Sequence, residues 1–361
     1  MADPLERVVV RLDGSDFSGW SELSVTCGVE QAARTAQLTV SDFAGAMPFR
    51  PGAECQLLAS GSLLITGYVR DVQPSHEGDR HSVSLSIVSR TIDAVEASID
   101  HPTGFAKQKD LVAIAREFDR TGVGIVADES FPVEPASFVN SGQSLFRHIE
   151  PLARSHSALI YDTADGQLRL AKAPRGRHGG GLSIGPGGNI ISASATFTEQ
   201  NRFSPVIVRG QSSRGRGAGA LRLEARAQDG SVRRKRPRII VHESEATSAK
   251  LKERAERQVK RAAGHGCSAE IEVSGWRDGD GLLFEPHYVI PVRDARIYLD
   301  QDMVIKSVTF SQSIETGGPG TRARLSLADP RALNGEAPAG GGDGSDLWET
   351  PETEATIGAV Q

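Results

Sequence analysis

The sequence predicts a mainly β protein with an α+β insert, in which two small β-barrel or sandwich regions flank a middle segment carrying helices. Three observations predict it. Short apolar runs separated by Gly, Pro, Asp and Ser punctuation recur towards both ends of the chain. Val83, Leu85 and Ile87 alternate with polar residues, as do Ala269, Ile271 and Val273 and then Ala323, Leu325 and Leu327, the period of a sheet with one wet face. The 39 glycines against 18 prolines favour many turns between short strands.

The first β-region, residues 1–98, contains the predicted strands Val8–Leu12, Leu23–Val29, Thr35–Val40, Glu54–Ala59, Leu63–Val72 and His81–Ile87. About six strands at this spacing make a small barrel or sandwich. The pattern changes near Asp100. Leu111, Ile114, Ala115 and Phe118 follow i, i+3, i+4, i+7, with Asp110 as N-cap and Gly122 just past the end. A second helix starts at Ser144 and places Leu145, Ile149, Leu152 and Ala153 on one face, but Pro151 should kink or interrupt it. Ala158–Tyr161 and Gln167–Ala171 form a hairpin around Ala-Asp-Gly, completing an insert over residues 99–185. The Gly, Arg and Pro of Pro174–Gly188 read as a linker.

Strands resume at Asn189–Phe197 and Pro205–Gly210, opening a second β-region over residues 186–333. One helix, near 245–263, interrupts it. Ser244 is its expected cap, Leu251, Ala255, Val259 and Ala262 its apolar stripe, and Gly264 its expected end. Further strands are expected at Ala269–Val273, Tyr288–Val292, Arg296–Leu299, Met303–Phe310 and Arg322–Leu327. Residues 334–361 lack the apolar content to offset their ordering entropy and read as a flexible acidic tail. Trp20 and Trp276 are expected as core or turn anchors.

The 361 residues are enough for two or three domains. A net charge of −5 argues against nucleic-acid or membrane binding through bulk charge. The tail alone contributes −6 through Glu336, Asp343, Asp346, Glu349, Glu352 and Glu354, leaving about +1 elsewhere. Cys27, Cys55 and Cys267 show no CxxC pairing and read as free thiols of a protein made in the cytosol. No stretch approaches the ~18 apolar residues of a membrane span.

Motifs for chemistry are mostly missing. There is no HExxH, no G-x-S-x-G elbow and no Walker A loop. His265-Gly-Cys267 and His242-Glu243 lack a second ligand pair. Gly179–Gly188 lacks the lysine of a phosphate cradle, and Trp276–Gly281 lacks the final glutamate of a calcium loop. No catalytic, cofactor or metal residues are therefore assigned. Two basic features stand out: the run Arg233, Arg234, Lys235, Arg236 and Arg238, and the helix face bearing Lys250, Arg254, Arg257 and Arg261. The arginine run could grip phosphates, but without interleaved aromatics to stack bases it reads, like the helix face, either as solvated surface or as subunit and partner contacts.

The second β-region also carries a collinear series: Arg202-Phe-Ser-Pro-Val-Ile-Val-Arg-Gly-Gln211, Arg234-Lys-Arg-Pro-Arg-Ile-Ile-Val241, Arg254-Ala255, Ser274-Gly-Trp-Arg277, Val308-Thr-Phe-Ser311 and Leu325-Ser-Leu327. With Val10-Arg-Leu-Asp-Gly14, Gly19-Trp20, Ser141-Gly-Gln-Ser-Leu-Phe146 and Ala153-Arg154, it resembles the baseplate hub proteins of Mu-type contractile phage tails over residues 7–333. Cys27-Gly-Val-Glu30, Pro151 and the acidic tail depart from that pattern. The resemblance implies a non-enzymatic homotrimer whose two tube-protein-like β-domains per subunit make a pseudo-sixfold ring. It also implies a central spike protein, a tail tube protein, baseplate wedge proteins and a tape measure protein as partners, with nucleic acid only passing through the channel. The implied location is the virion tail baseplate, after assembly in the host cytoplasm. The rival readings are a tail-associated cell-wall-degrading enzyme and the hub of a phage-derived secretion or injection machine.

Overall fold

A computed structural model describes residues 5–41, 47–78, 80–211, 223–242, 247–314 and 320–338. Strands from both ends of the chain meet in one fourteen-stranded sheet. From one edge its main path runs Ile190–Phe197, Cys267–Ser274, Gly320–Ala328, Leu299–Ser313, Glu22–Gly28 and Thr35–Ser41. It continues through Arg80–Ser89, Ser62–Glu77, Glu54–Ala59 and Val8–Leu12 to Ser15–Phe17. The seam between the two β-regions is antiparallel, with Phe310 opposite Val25 and Val308 opposite Cys27.

Alternation built this sheet as expected. Leu38, Leu85, Ile87, Ile271, Val273, Phe310 and Leu325 are all essentially inaccessible and belong to one apolar core spanning both regions. Trp20 and Trp276 are buried in that core. Each such side chain contributes about 1.5–3 kcal/mol. The strand beginning at Ser62 extends to Glu77 rather than stopping at Val72, with a register shift between Val69 and Asp71. Arg296–Leu299 is not a strand throughout. A 3-10 turn occupies Ala295–Ile297, Tyr298 turns back at φ 57°, and the strand starts at Leu299. The Asp294 carboxylate accepts the Arg296 N–H and fixes the turn.

Pro174–Gly188 is not a free linker. Gly176–Arg177 and Leu182–Ser183 pair in parallel with Tyr288–Asp294, itself hydrogen-bonded to the long strand Leu299–Ser313. Gly181, at φ 131°, sits where an added Cβ would fall 2.9 Å from Pro291, so glycine here permits close backbone approach.

The insert has its own core of Leu111, Ile114, Phe118, Ile149 and Leu168. A short helix α1 (Ile92–Glu96) and a ribbon of Phe105–Asp110 with Val133–Phe138 were not predicted. α2 (Leu111–Phe118) is capped by Asp110, which accepts the Ala113 N–H at 2.8 Å. α3 (Leu145–Ser155) runs through Pro151 without ending. Proline supplies no N–H to the Arg147 carbonyl four residues back. The Gln143 side-chain amide donates to that carbonyl instead, at 3.2 Å, which replaces the lost bond. Leu159–Asp162 and Leu168–Ala171 form the expected hairpin, with Ile125–Ala127 added in parallel.

α4 (Ser248–Gly264) is capped by Thr247, whose hydroxyl accepts the Lys250 N–H at 3.3 Å; Ser244 lies outside the described residues. Gly264 does not end the helix through a left-handed turn. It is the last helical residue, and its missing side chain leaves room for the Ala332 backbone, whose nitrogen would lie 2.1 Å from a Cβ. Of the acidic tail, residues 339–361 lie outside the described residues.

Candidate interaction surface

The two basic features meet on a small layer of their own. Val206–Gly210 is the centre of a three-stranded sheet, antiparallel to Leu223–Ala227 and parallel to Arg238–Val241. Val206 and Val208 point to one face and pack on Leu251 and Ala255 of α4. The opposite face leaves Ile239 and Val241 exposed beside Arg209 and Arg226, both paired with Glu224.

On α4, Lys250, Arg254, Arg257 and Arg261 recur at i, i+4, i+7 and i+11, so they form one stripe. The structure does not leave this stripe uniformly free. Arg254 Nη1 lies 2.6 Å from His242 Nδ1, and Arg257 Nη1 donates to the Ser157 hydroxyl at 2.6 Å while its other arm pairs with Glu253. Lys250 and Arg261 are exposed. Burial, and next the neighbouring charge of Arg254, push the His242 pKa below the ordinary histidine value.

The arginine run divides similarly. Arg233, Arg234 and Lys235 are exposed, and Arg234 pairs with Glu199. Arg236 and Arg238 instead lie over the Phe203 ring, at 4.7 and 5.1 Å from its centroid, and Arg236 also donates to the Glu199 carbonyl at 2.9 Å. Cation–π contacts at half-buried arginines are worth about 0.5–2 kcal/mol. Two of the five cations in the run are therefore fixed into the subdomain.

Between α4 and the loop around Gly230 lies a cleft of about 760 Å3. Arg226, Arg233, Lys260 and Arg331 line it, against Glu256 and Asp229. Asp229 is already taken by a buried fork from Arg202, at 2.8 and 2.9 Å, and its Oδ1 also accepts the Ser231 N–H. The structure thus brings Arg233 from the run together with Lys260 from the helix. Sequence reasoning did not select Lys260, Arg226 or Arg331. Their convergence depends on how the helix lies over the strands.

Away from this layer, Asp278 organises a buried polar cluster. Asp278 lies 2.8 Å from His178 Nδ1 and accepts the N–H groups of Gly179, Asp280 and Leu282. Burial opposes its charge, but the His178 contact and these donors outweigh it and hold the carboxyl below its usual range. Among the described residues no group of three or more His, Cys, Asp or Glu side chains could hold a metal ion. Cys27, Cys55 and Cys267 are free, and burial pushes each thiol up to about 12. Among the described residues, no helix is long and apolar enough to cross a membrane.

Comparison with known proteins gives a consistent result. Residues 7–88 match the family described as Mu phage baseplate assembly protein GpP-like, N-terminal, and residues 247–336 match Mu phage baseplate assembly protein GpP, fourth domain. The chain is 26% identical over 341 residues to the baseplate hub protein gp44 of Escherichia phage Mu, covering 89% of this chain and 87% of that protein. The crystal structure of the 43 kDa tail protein of prophage MuSo2 from Shewanella oneidensis superposes with a TM-score of 0.79 at 26% identity, covering 91% of this chain and 99% of that one. A tail protein from Neisseria meningitidis MC58 shares the fold, with a TM-score of 0.74 at 19% identity over 92% of this chain and all of that one.

Proposed function

This chain is a relative of the Mu-type phage baseplate hub proteins, and from that premise we propose that it is a non-enzymatic hub, a homotrimer joining the central spike to the first ring of the tail tube. The observation that carries the reading is the similarity to a baseplate hub protein along 89% of the chain, with family domains matched in order at both ends. Residues 1–98 and 186–333 would serve as the two ring-forming units, with 99–185 as the insert between them.

The sheet gives a physical reason for a ring. Its terminal strand Ile190–Phe197 carries no charge and no proline, and among the described residues its outer edge has no strand partner. Such an edge promotes uncontrolled pairing unless another chain covers it, and a closed cyclic assembly provides that cover. Arg233 and Lys235, with Lys250 and Arg261 on α4, are the exposed cations we assign to subunit, spike or wedge contacts, joined by Arg234 where it leaves Glu199. The protein acts in the virion tail, after assembly in the host cytoplasm.

Light scattering on the purified protein, alone and mixed with its spike, tests the reading. A mass of about three times 38.5 kDa, alone or with the spike's mass added, is expected. A strict monomer under both conditions would overturn the ring.

A further inference from the structure

The fourteen-stranded sheet contains one pairing pattern twice. In the second β-region the strands follow the order Ile190–Phe197, Cys267–Ser274, Gly320–Ala328, Leu299–Ser313, and in the first the order Glu22–Gly28, Thr35–Ser41, Arg80–Ser89, Ser62–Glu77. The fourth strand is long in both, at 15 and 16 residues. Its opening half also pairs with a short strand, Tyr288–Asp294 in one region and Glu54–Ala59 in the other. A register shift follows, between Ile305 and Ser307 or between Val69 and Asp71. Beyond it, Val308 opposes Leu325 as Val72 opposes Leu85, and Leu325 opposes Ile271 as Leu85 opposes Leu38. Ile271 then opposes Ala193 as Leu38 opposes Leu23.

The pattern is joined at one place and open at the other. Beyond its shift, Ser307–Ser313 pairs over seven residues with Glu22–Gly28, the first strand of the other region. The equivalent stretch Asp71–Glu77 has, among the described residues, no second strand beside it. The outer edge of Ile190–Phe197, the equivalent of Glu22–Gly28, is open in the same sense. The side chains record the difference. Val308, Leu23, Val25 and Cys27 at the joined seam are buried, whereas their equivalents Val72, Ala193, Ala195 and Phe197 are only half-buried.

We propose that Asp71–Glu77 of one subunit pairs antiparallel with Ile190–Phe197 of a second copy of this chain, repeating the internal seam between molecules. The repeat also fixes the register. Val308 opposite Cys27 becomes Val72 opposite Phe197, Phe310 opposite Val25 becomes Pro74 opposite Ala195, and Ser311 opposite Ser24 becomes Ser75 opposite Ser194. Val72, Ala193, Ala195 and Phe197, which already pack on the main core, are thereby covered. No like charges face each other, because Ile190–Phe197 carries none. Pro74 supplies no N–H and costs the seam at most one hydrogen bond. The two edges differ, so the contact is head-to-tail and each subunit offers one of each. That it closes at three copies rests on the proposed function, whereas the pairing rests on the repeat within the sheet.

Oxidation of the Ser75→Cys, Ser194→Cys chain tests the register, in the assembly whose mass light scattering gives and with products read on denaturing gels with and without reductant. Residues directly opposite lie about 4.5–5.5 Å apart between Cα atoms, within disulfide reach. Linked species of two and three chains are expected, and neither single variant should form them. Ser75→Cys with Thr196→Cys stands two residues out of register, about 7–8 Å apart, and should link at least about fivefold less. Gln73→Cys with Thr196→Cys is in register again and should restore the yield. All four positions are exposed in the single chain, so the substitutions leave the core intact. A trimeric mass, with the in-register pairs linking no better than the shifted pair, would overturn this seam and leave the hub reading standing. Links running on beyond three chains would uphold the seam and overturn the ring of three. A strict monomer, alone and with the spike, would overturn both.

Discussion

Arg34 and Asp162 close a buried fork between the first β-region and the insert. The Arg34 backbone N–H donates to Oδ2 at 2.8 Å and its Nε to Oδ1 at 3.2 Å, while Nη1 reaches the Leu64 carbonyl at 3.2 Å. Arg34 is 5% exposed and Asp162 1%, so neither charge has water to fall back on. Asp162→Ala would strand the guanidinium and cost about 3–5 kcal/mol in denaturant unfolding. Replacing both by apolar residues, Arg34→Met with Asp162→Leu, should recover only part of that loss, because the residue 34 N–H and the Leu64 carbonyl then lose their side-chain partners. A cost for Asp162→Ala below about 1 kcal/mol would show that the fork does not hold the two regions together.

His287 makes stability depend on pH. Burial is the main reason its pKa drops from 6.5 to about 4, and it lies 3.1 Å from the Tyr161 hydroxyl. The unfolded chain takes up this proton near pH 6.5 and the folded chain only near 4, so between those values the unfolded state binds more protons and stability falls as pH falls. The full contribution is present above about pH 6.5, and roughly 3 kcal/mol is lost by about pH 4. His287→Asn suits the backbone, which sits at φ 67°, a conformation asparagine tolerates. Urea midpoints at neutral and acid pH should differ less in the variant than in the parent. Equal differences would remove His287 from the account.

The two buried tryptophans should not be equivalent. Trp276 Nε1 donates to the carbonyls of Ser311 at 3.1 Å and Arg322 at 2.9 Å, linking its turn to the adjacent strand pair. Trp20 Nε1 has no acceptor among the described residues. Trp276→Phe loses ring volume and the indole donor shared by two carbonyls, for about 2–4 kcal/mol, whereas Trp20→Phe loses ring volume but removes an unsatisfied donor and should cost less. Thermal unfolding of both variants gives the order; the reverse order would refute the assignment.

Gly264→Ala sets helix propensity against packing. Alanine gains up to about 1 kcal/mol over glycine inside a helix. Its Cβ would meet the Ala332 backbone nitrogen at 2.1 Å, and backbone cannot rotate away as a side chain can. The clash should win, with a net loss of about 1–3 kcal/mol in a urea titration. A stabilised variant would mean that the segment after Asp329 does not pack on α4 as described.

What the sequence determined by itself was local. Alternation placed Val83, Leu85 and Ile87, and Ala269, Ile271 and Val273, on strands, and helical spacing with Asp110 and Ser144 caps placed α2 and α3. The collinear series also pointed to the family whose domains the chain matches. These signals need only a few neighbouring residues, because side-chain period and end-capping are properties of one element. Tertiary structure decided the rest. That Phe310 lies opposite Val25, that Gly176–Arg177 and Leu182–Ser183 join the sheet, and that α3 survives Pro151 through Gln143 all depend on residues far apart or on a side chain's reach. The surface followed the same rule. The charges of Arg233 to Arg238 were visible in sequence, but Phe203 takes up two of them and Arg233 faces Lys260 only where a helix crosses a sheet, because ionic and cation–π contacts depend on distance in space and not along the chain.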